Sequence, residues 1–251
     1  LAIEDISERR RAETALARQA RELGRSNADL LEFASVAAHD LQEPLRKIQF
    51  FGEQLKLEYG ETLGAEGRDY LERMRNAARR MQRLISDLLA LARISTTGQP
   101  FVPVDLADVL QNVVSDLEVE IGREGARLHL GELPTIEADP VQMRQLLQNL
   151  IDNALKFHRP DEAPVVEIHG EVVESREGRP SGRSPVDRSC RVVVEDNGVG
   201  FDEKYLDRIF NVFQRLRGQN PHEGTGMGLA ICRKIVVRHG GEISARRPLG
   251  R

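Results

Sequence analysis

The chain has 251 residues, enough for one large domain or a small domain plus a medium one, and its 40% apolar and 30% charged residues fit long, solvent-facing helices. A net charge of −4 argues against the strongly basic surface of a nucleic-acid binder, so no nucleic acid is expected among the partners. No apolar run approaches the roughly 18–20 residues of a membrane span, and the two cysteines, Cys190 and Cys232, form neither a disulfide framework nor a metal-ligand spacing.

Leu1 is not an initiator methionine and no signal peptide follows it. A cytoplasmic fragment of a longer chain is expected, with membrane attachment of the parent left open. Apolar steps of four and three run through Leu16, Ala20, Leu23, Asn27, Leu30, Ala34 and Ala37, a heptad seam with one polar break. Leu41, Leu45, Ile48, Gly52 and Leu55 continue it after consecutive steps of four, a stutter that falls at His39. Pro44 lies in the same stretch, where a helix-interior proline costs about 3 kcal/mol. "YGETLGAEG", 59–67, predicts a turn, and Leu71, Met74, Ala78, Met81, Ile85, Leu88 and Ala92 predict a second helix, ended by "STTGQPFVP". A hairpin with apolar stripes this long cannot bury them alone, so a homodimeric four-helix bundle is expected.

The remainder alternates strands and helices. Strands are predicted in "ARLHLGEL", "APVVEIHGEVVE" and "CRVVVED", and helices at 106–124, 141–157 and 227–239. A polar Gly/Pro/Ser-rich loop, 175–189, joins two of the strands.

Three clusters there carry chemistry. In "QNLIDNALKF", Asn149, Asn153 and Lys156 share one helix face, with Leu146, Leu147, Leu150, Ile151 and Leu155 free to pack inward. Two carboxamides and an ammonium suit a cation–phosphate group, since amide oxygen ligates hard cations and lysine neutralises phosphate; a solvated face of chance spacing is the competing reading. In "VVVEDNGVGF", Asp196 ends a strand, and Gly198 and Gly200 permit close backbone approach. The acid can accept from an exocyclic amine such as that of adenine, or simply be solvated. In "EGTGMGLAICRKIV", Gly224, Gly226 and Gly228 lead into a helix, a ready anion site that matches neither a P-loop nor a dinucleotide fingerprint.

In this order the three resemble the ATPase domain shared by sensor histidine kinases and the wider GHKL group, over roughly residues 100–247. The resemblance implies an α/β sandwich that holds ATP under a mobile lid. It implies that Asn153 ligates Mg²⁺, that Asn149 and Lys156 support the ion and phosphates, and that Asp196 reads adenine. Gly198, Gly200, Gly224, Thr225, Gly226, Gly228 and Leu229 would line the nucleotide. "IFNVFQRL" resembles the phenylalanine box before the lid, making Phe210 and Phe213 its aromatics, with plain core packing as the alternative. Arg215 or Arg217 would reach the γ-phosphate or stay solvated.

"HDLQEPL" inside the hairpin resembles the phosphoacceptor box of histidine kinases, in the variant of phytochrome-like and PAS-linked kinases. It implies His39 as phosphoacceptor and Asp40 as general base; neutral imidazole is the nucleophile, and a neighbouring carboxylate can hold one ring proton. The commoner pattern has Thr or Asn four positions on, where this chain has Glu43, which puts phosphatase activity by that route in doubt. The other histidines, His129, His158, His169, His222 and His239, read as surface or core. Arg68, Arg73, Arg75, Arg79, Arg80 and Arg83 read as a solvated face, with docking of an acidic receiver pocket as the alternative.

"EDISERRRAE" resembles the end of a PAS domain and its exit helix. The implied organisation is α plus α/β. Residues 1–30 would be a PAS-like end and coiled-coil signalling helix. Residues 31–97 would be the dimerisation and phosphotransfer hairpin, and 98–251 the ATP-binding domain, without a last strand. The implied function is a sensor histidine kinase that autophosphorylates His39 from Mg·ATP and passes the group to an aspartate of a response-regulator receiver. A GHKL ATPase without phosphotransfer and a non-catalytic dimeric scaffold are the rivals.

Overall fold

The computed structural model describes residues 2–94, 99–175, 187–206, 208–214 and 224–246, in two compact units, Leu1–Thr97 and Gly98–Arg251. The side chains of the seam residues Leu16, Ala20, Leu23, Asn27 and Leu30 lie outside the described set. Among the described residues, no helix is long and apolar enough to cross a membrane.

The first unit is a helical hairpin, α1 (Ala2–Tyr59) and α2 (Ala65–Arg93). Helix α1 runs unbroken through Pro44. The turn forms where glycine is required, since a Cβ on Gly60 would stand 2.3 Å from the Lys56 carbonyl. The Leu63 N–H and the Thr62 hydroxyl both donate to the Tyr59 carbonyl at 2.8 Å, capping α1.

Between the helices, Ala38, Leu45, Leu71 and Ala78 are buried. Polar pairs cross the same interface: Arg93 to Ser35 (3.3 Å), Gln42 to Ser86 (3.3 Å), Gln49 to Gln82 (2.7 Å), Arg75 to Glu53, and Lys56 to Glu72 (3.8 Å). The Arg75 side chain is only 7% exposed and also reaches Glu72 at 3.2 Å. It is therefore not part of a solvated basic face; it fills the space over Gly52, where a Cβ would stand 2.8 Å from Arg75 Cγ. Leu41, Ile48 and Leu55 on α1, with Met74, Met81 and Leu88 on α2, recur at heptad steps and stay exposed in the single chain.

The second unit contains β1 (Val102–Asp105), α3 (Leu106–Asp116), α4 (Glu118–Glu124), β2 (Arg127–Leu130), β3 (Thr135–Ala138), α5 (Pro140–Lys156), β4 (Val165–Ser175), β5 (Asp187–Asp196) and α6 (Gly228–Arg238). A short 3₁₀ turn covers Glu203–Tyr205. The helix expected over 106–124 is split at Leu117, whose N–H turns back to carbonyls of the previous turn. The α3 start is capped by Asp105, which accepts from Ala107 N at 2.8 Å.

Strands β2, β4 and β5 form one sheet in the order β2-β4-β5, β2 parallel and β5 antiparallel to β4. Strands β1 and β3, absent from the sequence-based expectation, pair antiparallel from Val102↔Ala138 to Asp105↔Thr135. Leu110, Val113 and Leu117 near α3 and Leu147, Ile151, Ala154 and Leu155 of α5 bury against Val166 and Ile168 of β4. Helix α6 packs on α5.

The α5 cap is more than a cap. Asp139 is almost fully buried, and its Oδ1 accepts from Val141 N (3.1 Å) and Gln142 N (3.2 Å). Its Oδ2 accepts from Arg238 Nη1 at 2.9 Å and from Gln99 N at 2.7 Å. Burial alone would raise the carboxyl pKa, but the Arg238 guanidinium and the N–H donors outweigh it and hold it below the ordinary 3.8.

Two outcomes are expected. Gly-to-Ala in a helix interior normally gains up to about 1 kcal/mol, but Gly52→Ala must push Arg75 aside and should gain nothing or destabilise; in an Arg75→Ala background it should gain the full amount. Urea unfolding of the four variants measures this coupling, and equal effects in both backgrounds would remove the packing argument. Asp139→Asn should cost about 1–3 kcal/mol at pH 7. Because the folded pKa is depressed, that contribution is present above the unfolded value and is lost as pH falls through the folded one, so the gap to wild type should close only below pH 3.8.

Candidate functional site

Helix α5 positions the first cluster. Its apolar stripe buries Met143, Leu147, Ile151 and Leu155, which turns Asn149, Asn153 and Lys156 to another face, half-buried; Leu146 and Leu150 are half-buried as well. Asn149 Nδ2 donates to the Gly228 carbonyl at 3.5 Å. A Cβ on Gly228 would lie 3.9 Å from the Asn149 amide and from Asn153 Nδ2, so α6 begins against both asparagines. Cys232, one turn into α6, is completely buried, its thiol within 3.9 Å of the Leu146 carbonyl. Burial pushes that thiol up to about 12, so it packs as an inert wall behind Asn149. Lys156 Nζ is paired with Asp152 at 3.1 Å, one turn back on the same helix.

Asp196 stands at the mouth of β5, exposed, with Oδ1 accepting from Gly198 N at 2.9 Å. Asn197 pins the turn to β4: its Oδ1 accepts from Val165 N at 2.9 Å and its Nδ2 donates to the Ala163 carbonyl at 3.1 Å. Val199 N donates to the carbonyl of Phe157, the C-cap of α5, at 2.9 Å. Only glycine fits at 198, because a Cβ would stand 2.6 Å from both Asp196 Oδ1 and the Phe157 carbonyl. Gly200 takes φ +65° and Gly226 φ +73°, backbone that favours glycine.

The third cluster joins the same centre. A Cβ on Gly224 would touch the Phe157 ring at 4.0 Å. Thr225 Oγ1 accepts from Met227 N at 3.3 Å, and Met227 is completely buried at the entrance to α6, with Leu229 half-buried behind Gly228. All three motifs thus meet around the last two turns of α5. Phe157 was not singled out in the sequence; its signal was an aromatic set just past a lysine at a helix end. Phe210 is buried and Phe213 is exposed with φ +60°, so of the pair only Phe210 is core. Arg215 and Arg217 lie outside the described residues, as does His222.

In the hairpin, His39 and Asp40 are each 74% exposed by side chain, with Nδ1 and Oδ1 3.4 Å apart. The neighbouring Glu43 is held below its ordinary value by its hydrogen bond to Lys47, 2.7 Å away. Near neutral pH it is a carboxylate that accepts hydrogen bonds and donates none.

Known proteins share both units. Residues 29–97 match the family described as the His Kinase A (phospho-acceptor) domain. Residues 138–251 match the histidine kinase-, DNA gyrase B- and HSP90-like ATPase family. The phytochrome-like protein Cph1 of Synechocystis sp. is 38% identical over 228 residues, 91% of this chain and 29% of that protein. Cyanobacterial phytochrome A of Nostoc sp. is 38% identical over 235 residues, 94% of this chain and again 29% of the relative. A solved structure of full-length ShkA in complex with AMPPNP superposes with a TM-score of 0.60 at 27% identity, over 87% of this chain and 43% of that one.

A phosphoacceptor hairpin followed by an ATP-binding α/β domain defines the catalytic core of a two-component signalling kinase. The chain belongs to the sensor histidine kinases, among relatives that include phytochromes, and spans under a third of the length of those relatives.

Gly198→Ala should weaken ATP binding at least tenfold, since the Asp196 loop must leave the Phe157 carbonyl. Calorimetric titration with a non-hydrolysable ATP analogue measures it; unchanged affinity would separate that loop from the nucleotide.

Proposed function

We propose that this core autophosphorylates His39 from Mg·ATP and passes the phosphoryl group to an aspartate of a response-regulator receiver. The observation that carries the reading is the pairing, in one chain, of an exposed His39–Asp40 dyad with a site where Asn149, Asn153, Phe157, Asp196 and the α6 glycines converge.

The donor set fits magnesium. Among the described residues no group of three or more His, Cys, Asp or Glu is placed to cage a metal ion. Magnesium characteristically takes few protein ligands and draws others from phosphate and water, which suits the single amide oxygen of Asn153. When bound, the ion neutralises phosphate charge. Asn149 orients beside it, Lys156 adds positive charge at the site's edge, and Asp196 accepts from the adenine amine. The glycine backbone from Gly224 to Gly228 presents N–H groups at the α6 N-terminus, and the family resemblance gives the γ-phosphate Arg215 or Arg217, both outside the described residues.

At the acceptor, Asp40 holds the proton on Nδ1 and leaves Nε2 to attack the γ-phosphorus, in line with the departing ADP oxygen. Glu43 offers neither the hydroxyl nor the amide of Thr or Asn, so dephosphorylation of the partner by the Thr/Asn route is not open to this core, and a Glu-based route would hold water by accepting from it. The heptad stripe Leu41, Ile48, Leu55, Met74, Met81 and Leu88 is buried by a second copy in a four-helix bundle. An upstream PAS-like sensory domain supplies the signal through residues 1–30, with 31–97 as the phosphotransfer hairpin and 98–251 as the ATP-binding domain.

Incubation with γ-labelled ATP should give an acid-labile, base-stable label on wild type, none on His39→Gln, and at least a hundredfold less on Asn153→Ala. Labelling of His39→Gln at the wild-type rate would disprove the acceptor assignment.

A further inference from the structure

His39, Glu43 and Lys47 follow one another at steps of four on α1, and all three side chains are exposed. At 3.6 residues per turn they form one row, with the seam of Leu41, Leu45 and Ile48 on the other side of the helix. Helical side chains lean toward the N-terminus, so the long Lys47 stem carries its ammonium up the row toward His39. It stops at Glu43, where Lys47 Nζ donates to Oε1 at 2.7 Å. Lys47 is the chief cause of the lowered Glu43 value, and Arg46 and His39 pull in the same direction, so the carboxylate lies within electrostatic reach of the histidine. Asp40 adds a second carboxylate, its Oδ1 3.4 Å from His39 Nδ1.

Two carboxylates beside a phosphoacceptor work against an incoming phosphate, because like charges repel. Asp40 is needed there to hold the imidazole proton. Glu43 stands one helical turn from His39, ~6 Å along the axis. At that range one unmatched carboxylate slows the approach of a phosphate roughly fivefold in water at low salt.

We propose that Lys47 is a further positioning residue for phosphoryl transfer: by pairing with Glu43 it cancels the negative charge that otherwise holds the γ-phosphate away from His39. The inference rests on the reading of His39 as acceptor. An exposed pair four residues apart on a helix contributes little to stability, so the service of Lys47 is to the acceptor and not to the fold. Lys47 acts through Glu43, and its effect therefore depends on the charge at 43.

The test uses this same chain and three readouts: the rate of His39 labelling at saturating γ-labelled ATP, affinity for a non-hydrolysable ATP analogue, and Tm. Lys47→Met should slow labelling about fivefold at low salt, with nucleotide affinity and Tm unchanged. The deficit should shrink below about twofold near 1 M salt, where the screening length is ~3 Å. Lys47→Arg, which keeps the charge, should label at the wild-type rate. The double variant Glu43→Gln/Lys47→Met should recover most of the loss, because no carboxylate is left to cancel. Arg46→Met removes a positive charge at the next position but leaves the pair intact, and should slow labelling less than Lys47→Met does. The proposal is overturned by a Lys47→Met protein that labels at the wild-type rate or loses nucleotide affinity. A double variant as slow as Lys47→Met alone, or an equal loss in Arg46→Met, overturns it as well. A wild type that binds ATP without labelling His39 overturns the acceptor assignment instead.

Discussion

The hydrogen bond from Val199 N–H to the Phe157 carbonyl is what turns three stretches of sequence into one site. It ties the mouth of β5 to the end of α5, and only a glycine at 198 leaves room for it. Phe157 N in turn donates to the Asn153 carbonyl, and the Phe157 ring meets Gly224. The mouth of β5 and the glycine run before α6 are therefore indexed to one helix end. The buried stripe of α5 against β4 sets that end in place, so packing in the core and geometry at the candidate site are the same fact viewed twice.

The hairpin solves a different problem. Its interior is half polar, and a buried arginine there is costly unless its charge is matched. Glu53 and Glu72 supply the match, and Gly52 supplies the volume. Such pairs add little net stability over an apolar core, but they fit in one register only. The apolar groups left over lie on the flanks and stay exposed in the single chain.

Most of the two-unit architecture was legible from periodicity, because long helices repeat their apolar positions many times. The pair β1 and β3 was not: each has four residues, β1 contains Pro103, and only Val104 and Ala138 are buried. The break at Leu117 carries neither glycine nor proline to announce it. Asn149, Asn153 and Asp196 could be picked out, since their spacing and position at element ends carry a chemical meaning of their own. Phe157 and His239 could not. Their roles depend on contacts such as the one between His239 and Asp139, a hundred positions apart, that no local window contains. Arg75 was misread for a related reason, as one arginine among several, when only its opposite number Gly52 shows that it points inward.

The polar ladder across the hairpin also has a temporal side. Its rungs join residues 16, 22, 33, 44 and 58 positions apart, moving away from the turn. Closing the shortest loop costs least chain entropy, and each rung formed brings the next within local reach. The hairpin therefore zips from Lys56 and Glu72 outward, and opens in the reverse order. His39 lies between the two outermost rungs, so the histidine occupies the stretch that closes last and frays first.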